Sequence, residues 1–106
     1  MEIRSIDDVK TAYRAAGNGH WFDADTMRFF RSRLSDTVYP FGGGCVFVSS
    51  ERPPSGRRMY SVRVFRVGVC AIEDAAAGFC GYASRSGAHA AAQRVRREIV
   101  KANVLA

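Results

Sequence analysis

Trp21-Phe22-Asp23-Ala24-Asp25-Thr26-Met27-Arg28-Phe29-Phe30-Arg31-Ser32-Arg33-Leu34 holds the only tryptophan, three of the seven phenylalanines and three arginines within six residues. No other segment joins so much apolar area to so much charge. Its spacing predicts a capped amphipathic helix that anchors the core. Asp23 is the expected N-cap, Asp25 sits in the first turn, and Phe22 is placed to staple against Met27. Met27, Phe30 and Leu34 share one face, widened by Phe29. Arg28, Arg31 and Arg33 fall elsewhere and are expected in water, their stems covering apolar surface.

The flanking chain supplies the partners for that helix. Ser5-Ile6-Asp7-Asp8 reads as a helix start, with a capping hydroxyl and two acids at the positive end of the helix dipole. Ile6, Val9, Ala12, Tyr13 and Ala16 recur at helical spacing, and Gly17-Asn18-Gly19 offers a stop in the left-handed region. Tyr39-Pro40-Phe41-Gly42-Gly43-Gly44 reads as a loop; its glycines lack the spacing and the following Lys-Ser/Thr of a phosphate loop. Cys45–Ser50 reads as a strand on its β-branched and aromatic content. Glu51–Arg58 is a turn-rich connection with two prolines and a glycine.

Met59–Val67 gives the clearest strand. Tyr60, Val62 and Val64 point one way, and Ser61, Arg63 and Phe65 point to a second, partly wet face. Val69-Cys70-Ala71-Ile72 extends it or pairs separately. Residues 73–78 read as a turn and 79–83 as a last short strand. Ser84 caps a final helix from about Arg85 to Ala102, with Ala88, Ala91, Val95, Ile99 and Ala102 as its apolar stripe and Arg94, Arg97 and Lys101 as a second, basic one. The expected fold is α+β: a three- or four-stranded antiparallel sheet packed against two N-terminal helices and one C-terminal helix, a single domain over residues 1–106.

Composition narrows the function classes. The 106 residues carry a net charge of +6, with 47% apolar and 25% charged residues, which places the chain among ordinary globular domains. No apolar run approaches the length of a membrane span, and the acidic, mixed N-terminus is not a secretion signal, so a cytoplasmic location without membrane partners is expected. Of the 16 basic residues only Lys10 and Lys101 are lysine. An arginine-, alanine- and glycine-rich chain reflects a GC-rich genome as readily as selection for a polyanion. Cys45, Cys70 and Cys80 form no C-x-x-C pair and read as buried free thiols, and neither histidine has a paired cysteine nearby, so no metal or other cofactor is expected.

The residues for catalysis do not assemble in the sequence. The nucleophile-elbow pattern is absent, and the acidic pairs Asp7–Asp8, Asp23–Asp25 and Glu73–Asp74 read as caps and turns, so an enzyme is not expected. His20, after the glycine-rich end of the first helix, is the one histidine placed to line a pocket.

Two binding roles remain. From the second helix onward the α-β-β-β-α order resembles double-stranded-RNA-binding domains, whose last helix presents basic residues near its start. Here Arg85 alone holds that position, and Gly87-Ala88-His89-Ala90 stands where the resemblance implies lysines. Arg94, Arg97 and Lys101, or Arg52, Arg57 and Arg58, are the candidates for phosphate-backbone contact. The stretch His20–Phe30, with its aromatic-x-x-x-Thr-Met-Arg-Phe-Phe signature, resembles small uncharacterised accessory proteins of actinobacterial phages over about residues 18–100. That resemblance implies a product acting in the cytoplasm of a host cell by binding a host macromolecule. The favoured partner is a host protein, met by the aromatic candidates Trp21, Phe29, Phe47 and Phe65, since aromatic side chains dominate binding hot spots. Nucleic acid is the alternative, and self-association through a strand edge is a further expected mode.

Overall fold

The computed structural model describes residues 3–16, 27–28, 31–52, 54, 56–68, 71–75 and 77–105. Six elements follow in order: α1 (Ile6–Ala15), β1 (Arg33–Phe41), β2 (Gly44–Glu51), β3 (Met59–Arg66), β4 (Ala71–Ala75) and α2 (Arg85–Leu105). The four strands form one antiparallel meander in the order β1-β2-β3-β4. A mixed α+β domain with an antiparallel sheet is as expected, with one N-terminal helix rather than two among the described residues. Most of the anchor helix lies outside them, including Asp23 with its capping role, Trp21, Phe29 and Phe30. So do the Gly17-Asn18-Gly19 stop, His20 and Cys70.

Where the anchor stretch is described, it leaves the helix earlier than its spacing predicts. Met27 and Arg28 are helical. The Ser32 amide donates to the Met27 carbonyl at 2.8 Å and the Arg31 amide to that of Arg28 at 3.1 Å. These nested bonds are the pair that closes a helix on a left-handed residue, and Arg31 takes φ 50° there. Arg33 and Leu34, expected on the helix, therefore open β1. Tyr39, Pro40 and Phe41, expected in a loop, end the same strand. Proline is tolerated because β1 is an edge strand.

α1 starts as its sequence dictates: Ser5 Oγ accepts from the Asp8 amide, and Asp7 and Asp8 occupy the first turn. Ile6, Val9 and Ala12 bury against Cys45, Phe47 and Phe65, with Ile3, Tyr13, Leu34, Val38 and Ile72 around them. α2 covers the opposite face. Ala88, Ala91 and Ala92 lie on Val46, Val48, Val62 and Val64, flanked by Tyr39, Phe41, Tyr60, Tyr82, Val95 and Ile99. The small alanines let the helix approach the sheet closely. β2 is consequently buried at every position, as strands covered on both faces are.

This corrects the expectation of a partly wet second face. Ser61, Arg63 and Phe65 do share a face, yet all three are buried. Two further expectations change. Glu73 and Asp74 belong to β4 rather than a turn. Of residues 79–83 only Tyr82 pairs, as an isolated bridge to Tyr60.

The strands meet tightly at the β1–β2 turn. Gly43 adopts φ +94°, and a Cβ on Gly44 would fall 1.9 Å from the Phe65 carbonyl oxygen, so neither position accepts a side chain without moving backbone. The free side of β1 is blunted by an irregularity between Leu34 and Val38, by Pro40, and by Arg96 Nε, which donates to the Pro40 carbonyl at 2.8 Å. No helix among the described residues is long and apolar enough to cross a membrane.

Candidate nucleic-acid interface

The β2–β3 hairpin brings separated arginines together at one end of the sheet. Arg33 opens β1 opposite Ser50, the penultimate residue of β2. Arg58, just before β3, folds back so that its NH1 donates to the Ser50 carbonyl at 3.2 Å and to Ser50 Oγ at 2.8 Å. Arg85 begins α2, whose first turn is held by Ser84 Oγ accepting from the Gly87 amide at 3.1 Å. These three arginines, with Ser35, Ser50 and Tyr60, line a cleft of about 280 Å³. Asp36 adds one carboxylate to it, and its side chain is exposed.

A second, more open cleft of about 380 Å³ continues from the first through Arg33 and Arg58. It adds Arg28, Arg31 and Arg52. Six arginines thus line two joined clefts, and among the described lining residues Asp36 is the one acid. Among the described residues no ion pair joins Arg33, Arg52, Arg58 or Arg85 to an acid. Burial pushes the Arg58 guanidinium below its ordinary range; neighbouring Arg33 and Arg52 push the same way, while Tyr60 and Glu51 oppose them. The group stays charged at any physiological pH; the repulsion from Arg33 and Arg52, secondary to burial, is the part that an arriving anion would offset.

The other face of the same hairpin carries charge of a different kind. Arg63 NH2 lies 3.3 Å from Glu51 Oε1, and its NH1 pairs with Asp74. Arg63 Nε donates to Ser49 Oγ at 3.0 Å, and Ser49 in turn donates to Glu51 at 3.0 Å. The Cys80 amide donates to Ser61 Oγ at 2.7 Å. None of the buried side-chain polar atoms of this set lacks a partner, so it is a structural network rather than a binding surface. Cys80 Sγ lies 3.9 Å from Glu51 Oε2. Burial and that carboxylate push the thiol upward, opposite to what a nucleophilic cysteine requires. Cys45, enclosed by the core, is pushed up to about 12.

The candidate residues named from the sequence separate cleanly. Arg52 and Arg58 join the arginine clefts; Arg57 is exposed in the same connection but lines neither. Arg94, Arg97 and Lys101 lie with Glu98 on a shallow groove of about 210 Å³ along α2, a surface distinct from the clefts. Phe47 and Phe65, the aromatic contact candidates within the described residues, are both 0% exposed and belong to the core. Trp21, Phe29 and the pocket candidate His20 lie outside the described residues.

Arg33 and Arg85 were not singled out as phosphate contacts by spacing. Arg33 read as helical, and Arg85 as isolated. Strand pairing with Ser50 puts Arg33 beside Arg58, and the start of α2 brings Arg85 to the same cleft.

His89 sits one turn beyond Arg85. Its Nδ1 is 2.8 Å from Tyr39 Oη, and its buried Nε2 has no partner. Burial, then the charge of Arg85, push its pKa below 6.5. Among the described residues no group of three or more His, Cys, Asp or Glu side chains is placed to hold a metal ion.

A family model described as a family of unknown function (DUF7447) matches residues 5–93. That span contains all six cleft arginines and ends before Arg94, Arg97 and Lys101. No curated protein matches the chain, and no solved structure does.

Proposed function

We propose, for a chain that belongs to the DUF7447 family of unknown function, that it binds the phosphate backbone of a nucleic acid through the joined clefts of Arg28, Arg31, Arg33, Arg52, Arg58 and Arg85. The observation that carries this reading is the convergence of those arginines from four parts of the chain, with one exposed acid among the described lining residues. Arginine suits the task because its planar fork donates two parallel hydrogen bonds to phosphate oxygens. The protein performs no chemistry on its partner in this reading. It supplies a rigid cationic surface, held by β1, β2 and the start of α2, on which the backbone exchanges its counterions for guanidinium groups.

The protein-partner expectation loses support because two of its four aromatic contacts, Phe47 and Phe65, are core residues. Phe79, 53% exposed, is the large apolar side chain left at the surface among the described residues. One such side chain falls far short of a hydrophobic patch of several hundred Å². The phage resemblance sets the proposed location, the cytoplasm of a host bacterium, where nucleic acid is abundant.

Binding of fluorescent single- and double-stranded oligonucleotides at 50 and 200 mM salt tests the proposal. Contact with about four phosphates of a single strand predicts a fall in affinity of about 50-fold between those salts. The Arg33→Ala, Arg58→Ala double variant should flatten that dependence by roughly one to two phosphates' worth. Absence of salt-sensitive binding to any oligonucleotide at about 100 μM protein and 50 mM salt, the weak end of non-specific affinities, overturns it.

A further inference from the structure

We infer that the enclosed cleft of Arg33, Arg58 and Arg85 seats a terminal phosphate monoester of a single strand, with the adjoining base against Tyr60, while the open cleft carries the following backbone. This rests on the backbone-binding reading and narrows its partner to a phosphorylated strand end. The two clefts differ in kind. The open one is walled by arginines and Ser32 with little else polar. The enclosed one adds to its arginines the hydroxyls of Ser35 and Ser50, the Tyr60 ring and the exposed Asp36 carboxylate; Ser49, also in its wall, has its hydroxyl committed to Glu51 and Arg63.

Donor number separates the two phosphate types. A backbone diester offers two free oxygens and one negative charge. A terminal monoester offers three oxygens and nearly two charges at neutral pH. Three guanidinium groups and two hydroxyls exceed what a diester can accept and match a monoester. Ser50 Oγ already accepts from Arg58, which leaves its own proton to donate. Ser35 Oγ is buried and has no hydrogen-bond partner; a native hydroxyl left in that state is expensive unless something occupies the cleft it lines. A volume of about 280 Å³ lies at the lower end of small-molecule sites, so it takes a phosphate and part of one nucleoside, not a groove-width of duplex. Tyr60 is half-buried, its inner side on the α2 core and its outer side in the cleft, where a base at a strand end has a face free to stack. Arg85 lines only the enclosed cleft and Arg52 only the open one, so the two can be tested apart.

The experiment measures binding of the full chain to one 12-nucleotide single strand in three forms: 5′-phosphate, 3′-phosphate and hydroxyl at both ends. A blunt phosphorylated duplex, a mononucleotide and inorganic phosphate serve as competitors. One phosphorylated form is expected to bind at least ten-fold tighter than the hydroxyl form and better than the duplex. Arg85→Ala should abolish that preference, and Arg52→Ala should weaken all forms while keeping it. Ser35→Ala, which removes a hydroxyl with no folded-state partner, should reduce the preference without lowering thermal stability. Competition by the mononucleotide well below the concentration of inorganic phosphate needed assigns the seat to phosphate plus base; equal competition withdraws the Tyr60 contact. Equal, salt-sensitive binding of all three forms overturns the terminal seat and leaves the backbone reading standing. No binding of any form overturns both.

Discussion

Arg63 and Arg58 belong to one hairpin and serve it in opposite ways. Arg63 points to the α1 face of the sheet and is 7% exposed, bracketed by Glu51 and Asp74 and bonded to Ser49. Arg58 turns toward Ser50 on the α2 side and feels Arg33 and Arg52 as well as Glu51, with no acid in ion-pair contact among the described residues. A buried cation without partners costs several kcal/mol, so the fold must complete its shell. A solvated cation can be left uncompensated at small cost, and it is then available to a ligand. The contrast separates charge that builds the hairpin from charge that the hairpin displays.

The largest effect that would break this contrast is on stability. Glu51→Ala leaves Arg63 and the Ser49 and Ser61 hydroxyls short of partners in a buried site. It should cost about 3 kcal/mol in urea unfolding, toward the low end for a broken buried pair because Asp74 remains. Arg58→Ala should change stability by less than about 1 kcal/mol, as surface substitutions do, yet weaken oligonucleotide binding several-fold. If Arg58→Ala proves as destabilising as Glu51→Ala, the displayed set is structural after all. If Glu51→Ala is neutral, the internal set is not.

The same contrast explains what the sequence disclosed. The α1 cap at Ser5, the core alternation of Tyr60, Val62 and Val64, and the alanine stripe from Ala88 are local patterns, each readable within a few residues. The first strand was not, because Arg33 and Leu34 continue a helical spacing. Their exit from it depends on Arg31 entering a backbone region that arginine seldom occupies. Burial of Arg63 was hidden for a similar reason. Alternation places it on the Phe65 face, but the charge argues for water, and only Glu51 and Asp74 arriving from neighbouring strands reverse that argument. The arginine clefts depend on the first of these, because only the pairing of β1 with β2 sets Arg33 opposite Ser50, which Arg58 also meets.

A smaller test concerns Arg31 itself. Its φ of 50° is strained for a residue with a Cβ, at a position where glycine is the usual helix stop. Arg31→Gly removes that strain, worth about 1 kcal/mol, against an unfolded-state entropy cost of similar size. The variant should therefore be as stable as the parent or up to about 1 kcal/mol more so. It should also lose about one phosphate contact from the salt dependence of binding. Gained or unchanged stability with weaker binding would mark a residue kept for its charge against its backbone preference. Unchanged binding would remove Arg31 from the displayed set.

The smallest effect reads the display from within the fold. His89 lies one turn from Arg85, with Nδ1 on Tyr39 and Nε2 buried without a partner. Burial and then the Arg85 charge hold its pKa below the unfolded value of 6.5. Between the folded and unfolded values the unfolded chain therefore binds more protons. Stability from this residue is complete above 6.5 and is lost as pH falls through the folded pKa. An NMR titration of the ring should give a midpoint under 6.5, and His89→Gln should flatten the acid limb of the stability curve. An anion seated at Arg85 offsets the second of the two causes and leaves the first, so saturating phosphorylated oligonucleotide should raise the midpoint without restoring it fully. A midpoint indifferent to ligand would place the bound phosphate away from Arg85, and the site would then have to be sought in the open cleft, whose arginines include Arg33, Arg52 and Arg58.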